Sequence, residues 1–309
     1  MPMPDMISRH CVVCGGEQKR VVYNAHLPEG PITPDIVHAQ HGEPGRAKWW
    51  RHRLVCCLGC GHYYADPVLD PNAVETSYLN QEHDNQFGID PSVLLKTHLG
   101  YAELVRPYLP ARREWQVDIG CDTGTFLAAS LGLGFVHRVG VEPGREAALR
   151  AATLPGVDIR QKLFDPNDFR PGSIQLLTMI HVLDHLVEPV EFIRRTRPLL
   201  DSEGVVVTVV HNIKSILARL AGRNWSPISV MHFDYFTPDS LRWAYETAGF
   251  TTLKVVRTRN YFPLFHLVRF APVLPPGLRR VLYRITSGPV LRKVVLGLPL
   301  GNIAIIARA

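Results

Sequence analysis

Trp115-Gln-Val-Asp118-Ile-Gly120-Cys-Asp122-Thr-Gly124-Thr-Phe126-Leu-Ala-Ala-Ser-Leu131 is the stretch on which the fold turns. A short β-rich run ends in a glycine-containing turn and passes straight into an apolar helical pattern. Residues 115–131 therefore read as the strand, turn and helix of a doubly wound α/β unit, with ligand expected at the carboxyl end of the strand. His137-Arg-Val-Gly-Val-Glu142-Pro-Gly144 follows as a second strand ending in an acid 22 residues after Gly120. A carboxylate at that place can accept hydrogen bonds from both hydroxyls of a ribose. Further strands are expected at 157–160, 174–180, 204–210, 252–257 and 302–307, separated by helical runs that include 190–200 and 240–248. The pattern predicts an α/β, Rossmann-like, seven-stranded and mostly parallel sheet with helices on both faces. Spacing alone does not separate a dinucleotide from an adenosyl cofactor. The turn is Gly-x-Asp-x-Gly instead of Gly-x-Gly-x-x-Gly, however, which gives weak support to the close backbone approach that a pyrophosphate needs.

Upstream, Cys11-Val-Val-Cys14-Gly15 and Cys57-Leu-Gly-Cys60-Gly61 each place two thiols at the end of a tight turn. Two such knuckles supply the four thiolates that tetrahedral zinc prefers, so Cys11, Cys14, Cys57 and Cys60 are expected to hold a structural ion with no open catalytic position. Cys56 lacks the right offset and is left over. The competing reading is a redox pair or packed, reduced cysteines. The Pro-, Gly- and His-rich run 28–45 reads as a long flap between the knuckles. A zinc-ribbon-like module over 1–88 and a sheet domain over 89–309 result.

The whole chain has 309 residues, 46% of them hydrophobic and 20% charged, which excludes a mainly disordered, collagen-like or coiled-coil protein. Its formal net charge of +6 is unevenly spread: no acid follows Glu246, whereas 251–309 carries ten Lys and Arg residues. The start lacks a basic cluster followed by an apolar run, and the apolar stretches are too short to span a bilayer. A cytoplasmic location is expected, and there C-x-x-C pairs read as metal ligands before disulfides.

Taken together, the two knuckles, Val117-Asp-Ile-Gly-Cys-Asp-Thr-Gly124, Gly140-Val-Glu142-Pro, His181-Val-Leu-Asp184-His185-Leu-Val-Glu-Pro189, and Phe236-Thr-Pro-Asp-Ser-Leu241 running on to Ala248-Gly-Phe250 resemble the class I S-adenosylmethionine-dependent methyltransferases with an N-terminal cysteine-rich zinc module. The resemblance implies that Asp118, Gly120, Asp122 and Gly124 shape the pocket for the methionine part of the cofactor. It also implies that Glu142 holds the ribose, that Leu163 and Phe164 flank the adenine and that His181 lies near the methyl group. Two positions depart from the family pattern: Asp122 stands where glycine is usual, and Gln175 stands near a usual aspartate at the start of the fourth strand.

Methyl transfer from a sulfonium is an in-line displacement that depends on positioning, and an oxygen acceptor often needs a base or a metal as well. If His181-Val-Leu-Asp184-His185 opens a helix, offsets of three and four put the three polar side chains on one face. His181 is then a candidate base, while similar positions in ubiquinone-type O-methyltransferases imply a second divalent metal at Asp184 and His185. The alternative is that Asp184 and His185 only buttress the helix. His211 and His232 are further catalytic candidates, each of them equally readable as a packed structural histidine. Trp225, Tyr235 and Phe236 either wall a sugar or aromatic acceptor or are ordinary core.

The region 260–301, between the last two strands, reads as an insertion with six basic residues, no acid and many large apolar side chains. It suits either peripheral contact with anionic lipid at the inner membrane surface or a subdomain packed on the core or on a second subunit. A nucleic-acid partner is not expected, because a phosphate-tracking surface wants more charge and less hydrophobicity. The resulting expectation is methyl transfer from S-adenosylmethionine to a small molecule, with a sugar, glycan or lipid-linked glycan preferred and O- slightly over C-methylation. The alternatives are a non-catalytic zinc-ribbon or adenosyl-binding protein, against which the intact Asp118/Glu142 pair argues, and an NAD-dependent oxidoreductase.

Overall fold

Alternation along the central strands sorts their side chains onto two buried faces. The computed structural model describes residues 6–27, 50–70, 90–269, 271 and 274–309. The flap expected at 28–45 and the boundary at 88/89 lie outside the described residues. In chain order the strands are β1 (Met6–Ile7), β2 (Lys19–Tyr23), β3 (Leu54–Cys57), β4 (Tyr63–Ala65), β5 (Val68–Leu69), β6 (Trp115–Ile119), β7 (His137–Val141), β8 (Asp158–Arg160), β9 (Ile174–Ile180), β10 (Leu200–His211), β11 (Asp234–Tyr235), β12 (Thr251–Arg257), β13 (Asn260–Pro263), β14 (Val295–Leu298) and β15 (Asn302–Arg308). The helices are α1 (Pro91–Val105), α2 (Thr125–Ala129), α3 (Arg145–Ala151), α4 (Pro189–Thr196), α5 (Ile216–Ala221), α6 (Pro238–Thr247), α7 (Leu264–Arg269) and α8 (Pro276–Thr286).

Seven strands pair in the order β8-β7-β6-β9-β10-β15-β12. β15 runs antiparallel to both of its neighbours and the other pairs are parallel. All seven strands expected from the sequence are present. Leu177, Met179, Val206, Val210, Ile303 and Ile305 pack on one side of the sheet with Val190, Ile193, Leu241 and Tyr245 from α4 and α6. Leu176, Val205, Val207, Val209, Ala304 and Ile306 pack on the other with Tyr101, Val105 and Phe126 from α1 and α2. Apolar residues at both parities of β9, β10 and β15 are what a sheet covered on both faces requires. Strand order reverses between β6 and β9, so their carboxyl ends open the crevice in which doubly wound sheets bind ligands.

One face of the core also takes in Cys11, Val13, Val55, Cys57 and Tyr64 of the cysteine module. That module is a four-stranded sheet, β11-β4-β3-β2, and β11 comes from far along the chain: Asp234 pairs with Tyr64 and Tyr235 with Tyr63. The insertion 260–301 pairs β13 with β14 and contains α7 and α8. It is tied to α1 by Tyr101 Oη, which donates to Asn260 Oδ1 at 3.0 Å, and by the Tyr261 amide, which donates to Thr97 Oγ1 at 3.0 Å.

One local expectation fails. His181–His185 does not open an α-helix: His181 has a φ of +56° and Leu183–His185 forms a single 3₁₀ turn. The His181 amide still donates to Val209 O at 2.8 Å, as a last rung of β9 against β10, so the backbone must bend sharply after it.

Candidate active site

The carboxyl edge of the sheet carries two groups of polar side chains in contact. The first surrounds the turn after β6. Asp118 is buried and accepts a 2.6 Å hydrogen bond from Thr178 Oγ1 on β9. Glu142, at the end of β7, accepts from the Gly144 amide at 2.7 Å and the Asp122 amide at 3.0 Å, joining the second strand to the turn. Gly120 (φ +66°) and Asp122 (φ +49°) both take left-handed backbone. A Cβ on Gly120 would meet Val182 Cγ2 at 2.6 Å, so only glycine lets the loop after β9 lie against this turn. Burial, with the charges of Glu142 and Asp122 adding to it, raises Asp118 to about 7 despite its Thr178 hydrogen bond. Burial raises Glu142 as well. Three carboxylates round one turn fit a ligand that brings positive charge, as the sulfonium and ammonium groups of S-adenosylmethionine do.

Leu163 and Phe164 were expected beside the adenine. Leu163 is exposed, and Phe164 stacks at 5.8 Å on Phe169 and lies 5.5 Å from Phe192, at the margin of the core. Gln175 is structural in its contacts: its Oε1 accepts from the Glu114 and Trp115 amides and its Nε2 donates to Asp201 Oδ2.

The second group is built round Asp184, whose side chain is 2% exposed. Its Oδ2 accepts from His211 Nδ1 at 2.5 Å and lies 3.9 Å from His232 Nε2. Its Oδ1 is buried without a hydrogen-bond partner among the described residues. Burial acts to raise Asp184, but the hydrogen bond and charge of His211, with His185 and His232 beyond, hold it well below the usual carboxylate range. Burial keeps His181 (to about 3), His185 and His232 below the usual imidazole range, so all three are neutral at pH 7. His211 donates Nδ1–H to the carboxylate, which leaves its Nε2 as the basic atom, and its side chain is 23% exposed, where an acceptor can reach it. His181 points its Nε2 at Asn302 Nδ2 (3.1 Å), an amide that can only donate. His185 donates Nδ1–H to Met231 O at 2.9 Å, and His232 Nδ1 bonds Ser229 Oγ at 3.1 Å. The rings follow one another in a chain: His181 lies tilted to His211 at 4.5 Å, His211 meets His232 edge-on at 5.1 Å, and His232 lies tilted to His185 at 4.2 Å.

All four histidines expected from the sequence thus meet at one carboxylate. Two trios there, His181/Asp184/His211 and Asp184/His185/His232, each bring ligand atoms within 4.8 Å of one another. Trp225 sets its edge 6.0 Å from His211, and Tyr235 lies 6.4 Å from His232, so both border the cluster although both are buried. Phe236 does not: it is fully buried 5.1 Å from His62. Sequence reasoning missed Asn302 and Thr178. Antiparallel register places Asn302 opposite His211, a relation visible only once β15 is known to lie beside β10.

In the cysteine module, Cys11 Sγ lies 3.4 Å from Cys60 Sγ and Cys14 Sγ lies 3.5 Å from Cys57 Sγ, with all four sulfurs within 4.8 Å. A disulfide would bring sulfurs to about 2 Å. Four thiolates on one zinc stand about 3.8 Å apart, from Zn–S bonds of about 2.3 Å. The donor set therefore fits zinc and can hold it. Gly15 and Gly61 both have a φ of +72°, the shared turn of two matched knuckles.

The sequence profile of the family described as "Methyltransferase domain" matches residues 99–255, just over half of the chain. The chain belongs to this methyltransferase family. It is an S-adenosylmethionine-dependent methyltransferase of class I fold carrying a four-cysteine module. A similar solved structure is a chain in the complex of the Haloferax volcanii Trm112 methyltransferase activator with a protein described as a methyltransferase. It is 14% identical over 71% of this chain and 92% of that one, with a TM-score of 0.51, a likeness of fold. An S-adenosylmethionine-dependent methyltransferase from Mesorhizobium loti is 15% identical, covering 70% of this chain and 100% of that one at a TM-score of 0.46. One from Archaeoglobus fulgidus is 18% identical, covering 67% and 94% at 0.43. No curated protein sequence matches.

Proposed function

We propose that this methyltransferase methylates a hydroxyl of a small sugar-like acceptor, free or lipid-linked, with His211 as general base and Asp184 as the residue that orients it. The observation that carries the reading is the 2.5 Å His211 Nδ1–Asp184 Oδ2 hydrogen bond at the carboxyl edge, next to a loop that packs on the cofactor turn. S-adenosylmethionine supplies the electrophilic methyl, and Asp118, Gly120, Asp122, Gly124 and Glu142 are the residues that hold it. The chain's own contribution is to aim His211 Nε2 at the acceptor proton and keep Asp184 charged, so that imidazolium forming as the proton moves is stabilised. His181, held by Asn302, directly precedes Val182, whose side chain packs against the turn at Gly120. Trp225 and Tyr235, both buried, back His211 and His232 and hold those rings in place.

A second reading has the Asp184/His185/His232 trio hold a divalent cation, and the 4.8 Å spacing of its ligand atoms favours it. Incubation with methyl-labelled cofactor and a panel of sugars and lipid-linked glycans, with products analysed by mass and NMR, tests the function. An O-methyl product whose formation His211→Asn removes, with cofactor affinity kept, supports the base. A C-methyl product, or full turnover in His211→Asn, refutes it. Turnover that needs added magnesium or manganese, and is lost in His232→Ala with the cysteine site loaded, selects the metal reading.

A further inference from the structure

We propose that the outer face of α8 is a docking surface for an anionic lipid bilayer. This goes beyond the catalytic reading and does not depend on it. Leu278, Val281 and Ile285 are three and four residues apart and so form a single stripe on the helix. Their side chains are 49%, 54% and 55% exposed. The helix already has an inner face: Thr286 is buried, and Tyr283 meets Phe265 of α7 edge-on at 6.4 Å. The stripe is thus apolar surface left over after the insertion has packed.

Charge identifies what fits it. Arg280 and Arg284, one turn apart and both exposed, border the stripe, and Arg292 and Lys293 lie exposed just beyond the helix, next to Val290, which is 80% exposed. No acidic residue occurs between 247 and 309, so nothing in this part of the chain opposes a negative surface. A helix with an apolar stripe and arginines along its flank lies flat at a headgroup boundary: the apolar residues enter the acyl edge and the guanidinium groups meet lipid phosphates. No described helix is long and apolar enough to cross a membrane, so the contact is one of lying on the bilayer.

Co-sedimentation of the zinc-loaded full chain with phosphatidylcholine vesicles, with and without about a third of phosphatidylglycerol, tests this. At low salt the protein should pellet with the anionic vesicles at least tenfold more strongly, and the preference should fade as salt rises. Each arginine near such a surface is worth about fivefold in partitioning, so Arg280→Ala/Arg284→Ala should weaken binding about 25-fold. Val281→Glu/Ile285→Glu should abolish it while leaving the melting temperature unchanged. Equal binding to neutral vesicles, or pelleting untouched by the Glu pair, overturns the proposal. So does a dimer in light scattering that the Glu pair converts to monomer, because the stripe would then be a subunit interface. Binding to RNA that outcompetes the vesicles overturns it equally.

Discussion

Replacing Asp234 by Asn tests how the cysteine module is joined to the catalytic edge. Asp234 is fully buried and accepts from Arg9 Nη2 at 2.8 Å and from His62 Nε2 at 2.9 Å. Arg9, 3% exposed, also donates to Phe233 O at 3.1 Å and to Val187 O. Two residues before Asp234 stands His232, and the Phe233 amide donates to Asp184 O at 2.8 Å. One carboxylate thus pins the cysteine module to the segment 232–235, which carries a cluster histidine. The substitution keeps shape but leaves a buried guanidinium without a counter-charge, a loss of about 3–5 kcal/mol for a buried pair. At about 2 cal/mol/K of unfolding entropy per residue, a chain of this length should melt roughly 5–8 °C lower. Differential scanning fluorimetry of zinc-loaded protein measures this, with zinc content and S-adenosylhomocysteine affinity determined alongside. Zinc should stay at one per chain and the affinity within twofold, since Asp118 and Glu142 touch neither partner of the pair. A shift under 2 °C would show that the pair does not secure the junction, and a cofactor affinity falling with the melting temperature would show that the two halves are not separable.

The acid Asp118, raised to about 7 in the free protein, is largely protonated at pH 6, and a cationic ligand favours its charged form. Binding of S-adenosylmethionine should therefore release a proton at pH 6, and affinity should rise by up to about tenfold per pH unit until pH passes 7. Titration calorimetry in buffers of different ionisation enthalpy measures it, and equal heats in every buffer refute it. Gly120→Ala puts a methyl 2.6 Å from Val182 Cγ2 on a backbone at φ +66°. About 1–3 kcal/mol of strain and a cofactor affinity at least tenfold lower should follow, and wild-type affinity would refute the packing argument. Stripping zinc with a strong chelator should remove cooperative unfolding of the cysteine module, because the free energy of binding metal to Cys11, Cys14, Cys57 and Cys60 is free energy of folding for so small a module. An unchanged melting curve after complete zinc loss would sink this expectation.

The half of the candidate site proposed for the cofactor was legible as a cluster because it is local. Asp118, Gly120, Asp122 and Gly124 are neighbours in sequence, and the hydrogen bonds from Asp122 and Gly144 to Glu142 join two consecutive strand ends. The histidine cluster proposed for the acceptor was legible as residue types and not as geometry. Asp184 and His211 stand 27 residues apart and meet only because β9 and β10 pair in parallel, which puts their carboxyl ends side by side. The bend at His181 carries no compositional signal, since a left-handed histidine is imposed by tertiary contact, so helical spacing does not apply over 181–185 and the side chains are brought together by the bend and the 3₁₀ turn. The two-residue strand β11 is too short to be recognised among its apolar neighbours, yet it makes the cysteine module and the catalytic edge one construction. Cys60, three residues before β4, and His232, two residues before β11, are thereby coupled through a single strand pair. A four-thiolate site with no open coordination position can in this way still govern where His232 stands.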